Sequence, residues 1–185
     1  MYGLVNKAIV DLVHAHHGAA AWQQIQTLAG IDEDLFLTMR QYPDDVTYRL
    51  VGAASQVLNT PPEDILQAFG RHWVKYTARE GYGELLGISG HSIWEFLANL
   101  DNMHARVALS FTRLRPPSFR CSEVRRAGLK LHYRSERQGL THLVIGLLHG
   151  LGEMFGTPVR VSLLPRDPAE PDEDIFQIDQ ADGVT

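Results

Sequence analysis

The chain holds a single cysteine, Cys121, so an internal disulfide is impossible, and neither a CxxC pair nor a Cys/His zinc spacing occurs. That usage fits a reducing compartment, and a cytoplasmic location is expected. No apolar run approaches the roughly 18 residues that a membrane span needs. The opening stretch, MYGLVNKAIVDLVHAHHG, carries Lys7 and Asp11 and lacks a small-residue cleavage site, so it reads as an amphipathic helix and not as a signal peptide. Positive charge is also short, with 17 Lys and Arg against 22 Asp and Glu and a net charge of −5. The cations are scattered apart from the Arg113 to Arg126 stretch, which argues against nucleic acid as a partner. No phosphate loop, paired-carboxylate motif or nucleophile beside a base stands out, and repeats, low-complexity tracts and flexible linkers are missing.

What is present suits one compact domain or two tightly packed halves: 185 residues, 44% hydrophobic and 21% charged. Apolar residues at Val5, Ile9, Leu12 and Val13, then at Trp22, Ile25, Leu28 and Ala29, predict two short helices broken by Gly18 and Gly30. Another helix is expected from Pro43 to Leu58. Thr60-Pro61-Pro62-Glu63 offers an N-cap, a proline at the first helical position and a capping-box glutamate, so a helix should start there and run to the Gly81-Tyr82-Gly83 break. Ser92 with Glu95 repeats the capping-box pattern at the head of a helix that carries His104. Pro116-Pro117 ends helical territory. Strands are then expected over 118–124, 129–135, 159–164 and 175–178, interrupted by one helix over about 139–155. The fold class is α+β, mostly helical at first, then an antiparallel sheet with a helix laid against it.

Two features carry chemistry. In an extended strand alternate residues face one side at ~3.3 Å per residue, so Tyr133, Ser135 and Arg137 would set a phenol, a hydroxyl and a guanidinium in a row. Such a row of donors suits an anion, above all a ligand with two neighbouring carboxylates, such as the haem propionates. The plainer alternative is the outward face of an ordinary strand. His104 sits in the apolar stripe Ile93, Phe96, Leu97, Leu100, His104, Val107 and Ala108, so it points towards the core. There it needs a hydrogen bond, a metal or a solvent path. A satisfied core histidine is one reading, and a single axial ligand to haem iron, leaving the opposite position for a diatomic gas, is the other.

At this point the chain resembles the haem nitric oxide/oxygen-binding (H-NOX) domains, related to the haem domain of soluble guanylate cyclase and most similar to stand-alone cyanobacterial members. The resemblance covers the whole chain through MYGLVNKAI, DDVTYRLVGAASQVL, AFGRHWVKYT, EGYGELL, FLANLDNMHARV, LRPPSF, LHYRSERQGL and GLLHGLG. It implies one H-NOX domain over 1–185, with a distal helical part over about 1–60 and a proximal helix plus four-stranded antiparallel sheet over 61–185, one haem b between them. It implies that His104 is the iron ligand, that Tyr133, Ser135 and Arg137 bind the propionates, and that Pro117 presses on the porphyrin. Arg115 could reach the haem edge or be merely exposed. Trp73 falls where similar proteins place an aromatic over the iron, with Tyr2, Val5, Leu143 and Thr77 as further candidates for that wall.

The O₂-binding branch of the family uses a distal tyrosine, and QGLTHLVIG after Arg137 has none, although His142 or the Trp73 indole could donate. NO and CO are therefore the expected ligands at ferrous iron. The resemblance further implies that NO loosens the axial histidine bond, that the two halves shift, and that a separate signalling protein, such as a histidine kinase, a cyclic-nucleotide enzyme or a chemotaxis component, reads the change. A haem enzyme of peroxidase-like or NO-consuming type is the alternative, for which His142 would have to serve as distal acid or base. Cys121 reads as a small buried hydrophobe, His14, His16 and His17 as a helix C-terminus, and Asp44 and Asp45 as caps. His72, His91, His132 and His149 carry no assignment, though His132 should face away from Tyr133.

Overall fold

Gly18 interrupts the first helical stretch, as its sequence position suggests. In the computed structural model, which describes residues 1–32 and 35–181, α1 (Gly3–Ala29) runs across Gly18, whose φ of 80° and ψ of 173° favour glycine, and stops at a left-handed Gly30. The two expected helices are thus both present, joined directly across the non-helical Gly18, and His14 to His17 form the last turn before that break. α2 (Asp44–Val57) follows, then α3 (Pro62–Thr77). Thr60 does not cap α3: its hydroxyl donates to the Leu58 carbonyl at 3.1 Å, and Pro61 takes the N-cap position. The chain also does not break at Gly81-Tyr82-Gly83. A π-helical turn over Ala78–Tyr82 leads directly into α4 (Gly83–Ile88).

Ser92 does cap α5 (Ile93–Ala98), accepting from the Glu95 N–H at 3.2 Å, while the Glu95 carboxylate accepts from the His91 N–H at 2.9 Å. Asn99 then interrupts the helix, and His104 sits on a separate one, α6 (Leu100–Ser110). After the two prolines come β1 (Ser118–Arg125), β2 (Gly128–Arg134), α7 (Thr141–Met154), β3 (Val159–Leu164) and β4 (Glu173–Gln180). All pairings are antiparallel, in the order β1-β2-β4-β3. The α+β reading holds.

Alternation along the strands sends Leu129, Leu131 and Tyr133 of β2 and Phe176 and Ile178 of β4 inward, where they meet Val144, Leu148 and Leu151 of α7 in one core. Full burial of side chains such as Leu131, Phe176 and Ile178 contributes roughly 1.5–3 kcal/mol each. A second core joins α1, α2 and the front of α3, with Phe111 closing it. The two are bridged where α3 crosses α7 at backbone contact. A Cβ on Gly70 would lie 2.3 Å from the Leu143 carbonyl oxygen, and one on Gly146 would lie 2.2 Å from that of Gln67, so only glycine fits at either position. Among the described residues no helix is long and apolar enough to cross a membrane.

Candidate functional site

Between the two cores lies a cavity of about 330 Å³. Tyr2, Val5, Trp73, Thr77, His104, Arg115, Pro117, Tyr133, Ser135, Arg137 and Leu143 all line it, from segments scattered along the sequence. α6 brings His104 to one side. Its ring stacks on Phe119 at 5.6 Å between centroids and 17° between planes, and its buried Nδ1 has no hydrogen-bond partner among the described residues. Burial holds the imidazole pKa below its usual range, against the opposing pull of Asp101, so the ring is neutral. Leaving a buried donor or acceptor unmatched costs about 1–3 kcal/mol, which a bound ligand can offset. Among the described residues no group of three or more His, Cys, Asp or Glu could hold a metal ion. A metal at His104 must therefore bring its other ligands with it, as a porphyrin iron does.

The donor row is assembled differently from the strand the sequence suggests. β2 ends at Arg134, so Tyr133 alone belongs to it, while Ser135 and Arg137 follow in the loop before α7 and still reach the same cavity. Burial raises the Tyr133 pKa, with the Ser135 hydrogen bond opposing, so the phenol keeps its proton. Ser135 Oγ accepts from the Arg137 N–H at 3.1 Å. Arg137 is held from two sides: Nε donates to Asp44 Oδ2 at 2.8 Å and Nη1 to the Arg115 carbonyl at 2.9 Å. Asp44 also pairs with the Met1 ammonium. Burial disfavours its charge, but Met1 and Arg137 outweigh that and hold its pKa below the usual aspartate value. Asp44 is thus no helix cap. It orients the guanidinium from 93 residues away.

Arg115 stays mostly in solvent, its guanidinium donating to Glu136 at 3.3 Å, while its backbone positions Arg137. Pro117 lies between that segment and Phe119 on the cavity wall. Across the cavity, Trp73 stacks on Tyr76 and meets Phe69 edge-on, at 6.4 and 6.1 Å. Tyr2 packs edge-on against Phe111, and its hydroxyl accepts from the Arg113 N–H at 3.0 Å. The Thr77 hydroxyl donates to the Trp73 carbonyl at 2.8 Å, so it serves its own helix and not a guest. α7 contributes Leu143, Val144, Leu147 and Leu148, a purely hydrocarbon wall.

Two residues lie elsewhere. His142 does not line the cavity: its Nδ1 sits 3.3 Å from the Gln67 amide nitrogen, which removes it as a distal donor or acid. Cys121 packs against the sheet core, and burial with Asp101 nearby raises its pKa, as befits a small hydrophobe and not a thiolate. Sequence reasoning missed Phe119 and Tyr82. The β1/β2 register pairs Phe119 with Tyr133, which places both on the inner face. Tyr82 reaches the cavity from the π-helical turn, which no periodicity announces.

Fold and cavity together define a class: an α+β domain enclosing an apolar chamber with, among the described residues, one imidazole on its wall and a phenol, a hydroxyl and a guanidinium at its edge. Comparison with known proteins narrows this. A family model described as haem-NO-binding (HNOB) matches residues 2–163. Soluble guanylate cyclase gcy-33 of Caenorhabditis elegans is 36% identical over 155 residues, 84% of this chain and 16% of that protein. Its gcy-31 counterpart is 30% identical over 165 residues, 89% of this chain and 24% of that protein. The chain thus spans a quarter or less of the length of these curated relatives. An H-NOX protein from S. oneidensis in the Fe(II)NO ligation state superposes with a TM-score of 0.86 at 19% identity, covering 98% of this chain and 100% of that one. The Fe(II) unliganded H-NOX protein from K. algicida also gives 0.86, at 21% identity, covering 100% of this chain and 99% of that one. At such identity the structures speak for the fold, which is that of H-NOX. The chain belongs to the haem-NO-binding family, the haem-based gas-sensor domains of the soluble guanylate cyclase type.

Proposed function

We propose that this domain holds one haem b per chain and senses NO, and also CO, at ferrous iron. The observation that carries the reading is His104: a half-buried imidazole on the wall of an apolar cavity, its pKa lowered by burial and its buried Nδ1 without a partner among the described residues. Bound haem would supply the iron at which a gas binds. His104 would hold that iron. Tyr133, Ser135 and Arg137 would hold the propionates, with Asp44 and the Arg115 carbonyl fixing the guanidinium. Pro117 would bear on the porphyrin, and Tyr2, Val5, Trp73 and Leu143 would exclude water from the gas side. With one thiol and no CxxCH, non-covalent haem b is the form this chain can keep.

The absence of polar groups on the α7 side favours NO and CO over O₂, which is helped by a hydrogen-bond donor. The signal depends on an effector that binds the gas-bound and gas-free forms with different affinity, since a ligand shifts an equilibrium only by its differential free energy. A cyclic-nucleotide enzyme or a histidine kinase suits that role, and the single cysteine suits the cytoplasm. The haem-enzyme alternative loses its support, because His142, its distal candidate, is turned towards Gln67. Reduced, haem-loaded protein should show distinct absorption spectra with NO and with CO and an unchanged spectrum with O₂. A stable O₂ complex would overturn the ligand preference and direct attention to Tyr82 as donor, tested by Tyr82→Phe.

A further inference from the structure

The solvent-facing side of the sheet carries a side-chain cluster with no part in the cavity. His132 projects from β2 on the face opposite Tyr133. Its Nε2 lies 2.7 Å from Ser122 Oγ on β1, and its Nδ1 lies 2.8 Å from Glu173 Oε2 on β4. Strand register produces the arrangement. His132 faces Arg120 on one side and Ile175 on the other, so Ser122 and Glu173 are its diagonal neighbours, each two residues along the adjoining strand. One imidazole therefore links a hydroxyl to a carboxylate across three strands. The His132 and Glu173 side chains are 11% and 14% exposed, and Ser122 is half-buried, so the contacts are sheltered yet reachable.

Proton placement follows from the distances. A carboxylate 2.8 Å from Nδ1 favours the tautomer with a proton on that nitrogen, and in that tautomer Nε2 offers its lone pair to the Ser122 hydroxyl. Arg120 Nη2, 3.0 Å from Nδ1 and 3.5 Å from Glu173 Oε2, donates to the carboxylate in that tautomer and to Nδ1 in the other, so Arg120 and Glu173 compete for the nitrogen. Hydroxyl, imidazole and carboxylate stand in the order that activates a serine. A second observation comes from the backbone. Beyond Ser122 the ladder bulges, with Glu123 and Val124 facing Leu129 alone, and Glu123 has a left-handed φ of 47°. The chain is thus strained at the residue that follows the hydroxyl.

We propose that Ser122 is a reactive nucleophile that accepts an acyl group from small activated carboxylic esters. Oγ attacks the carbonyl carbon while its proton passes to His132 Nε2. The bond from that carbon to the leaving oxygen breaks, and the leaving alkoxide takes the proton from Nε2. The products are an ester at Ser122 and the free alcohol, with no change of oxidation state. Glu173 is a positioning residue, holding the imidazole in the productive tautomer. The site lies on an open sheet face beside Ile175, which suits short acyl groups.

The test uses the whole protein with p-nitrophenyl acetate. The expected result is a burst of nitrophenol approaching one per chain, with an acetyl group found by mass spectrometry on the peptide containing Ser122. Ser122→Ala should lose the burst, and His132→Gln should slow acylation roughly a hundredfold or more. Glu173→Gln should slow it less and move the pH midpoint of the rate, which a merely structural role would leave in place. If Ser122→Ala does not fold, the site of acetylation in the unaltered protein still decides. Acetyl found only on other side chains, or a wild-type burst in Ser122→Ala, would overturn the proposal.

Discussion

α6 and α7 line the same cavity but are anchored very differently. α7 buries Val144, Gly146, Leu148, Gly150, Leu151 and Gly152 along its 14 residues and touches α3 backbone to backbone. α6, with 11 residues, fully buries only Leu100, and Leu109 is 82% exposed. The helix that carries His104 is therefore the more weakly held wall, and the hydrocarbon wall is the fixed one. The proposed gas sensing would use this division: a rigid side to shape the chamber and a looser side whose position would follow the state of its imidazole. Local stability is low where few apolar contacts are buried, which is where functional motion is drawn from.

The contrast can be broken first at its strong end. Leu148→Ala, at 2% exposure, should cost about 2–5 kcal/mol in urea unfolding, whereas Leu109→Ala should stay within about 0.5 kcal/mol. Equal losses would erase the difference between the helices. Next in size, Arg137→Ala removes a charge-assisted anchor worth about 1.5–3 kcal/mol, so haem transfer to apomyoglobin should speed up by roughly tenfold or more, and an unchanged transfer rate would remove the propionate role.

The smallest effect is on acid stability. His104 has a folded-state pKa below 6.5, so as pH falls from that value the unfolded chain binds the proton first, and stability declines until the lowered pKa is passed. In the haem-free protein His104→Gln should flatten that part of the profile. An unaltered profile would mean that the imidazole is not buried as described.

Much of this was legible before the fold was known, because short-range patterns report burial well. The stripe from Ile93 to Ala108 put His104 on an inward face even though Asn99 splits it between two helices. Tyr133, Ser135 and Arg137 were grouped on a strand argument that applies to Tyr133 alone, and the loop that carries the other two reaches the cavity by a route no periodicity describes. Asp44 read as a cap because helix starts favour acidic residues, and only the fold brings Arg137 to it. The Ser122, His132 and Glu173 cluster was invisible for a related reason: it depends on strand order, which sets β4 beside β2.

The proposed haem anchor is one imidazole, His104, on the weakly held helix. The direct measurement is the absorption spectrum of purified, haem-supplied protein beside His104→Gly, with and without added imidazole. The unaltered protein should show a Soret band, the variant should retain haem weakly, and added imidazole should restore it. Full haem retention by His104→Gly without imidazole, or a well-folded unaltered protein that takes up no haem at all, would contradict it.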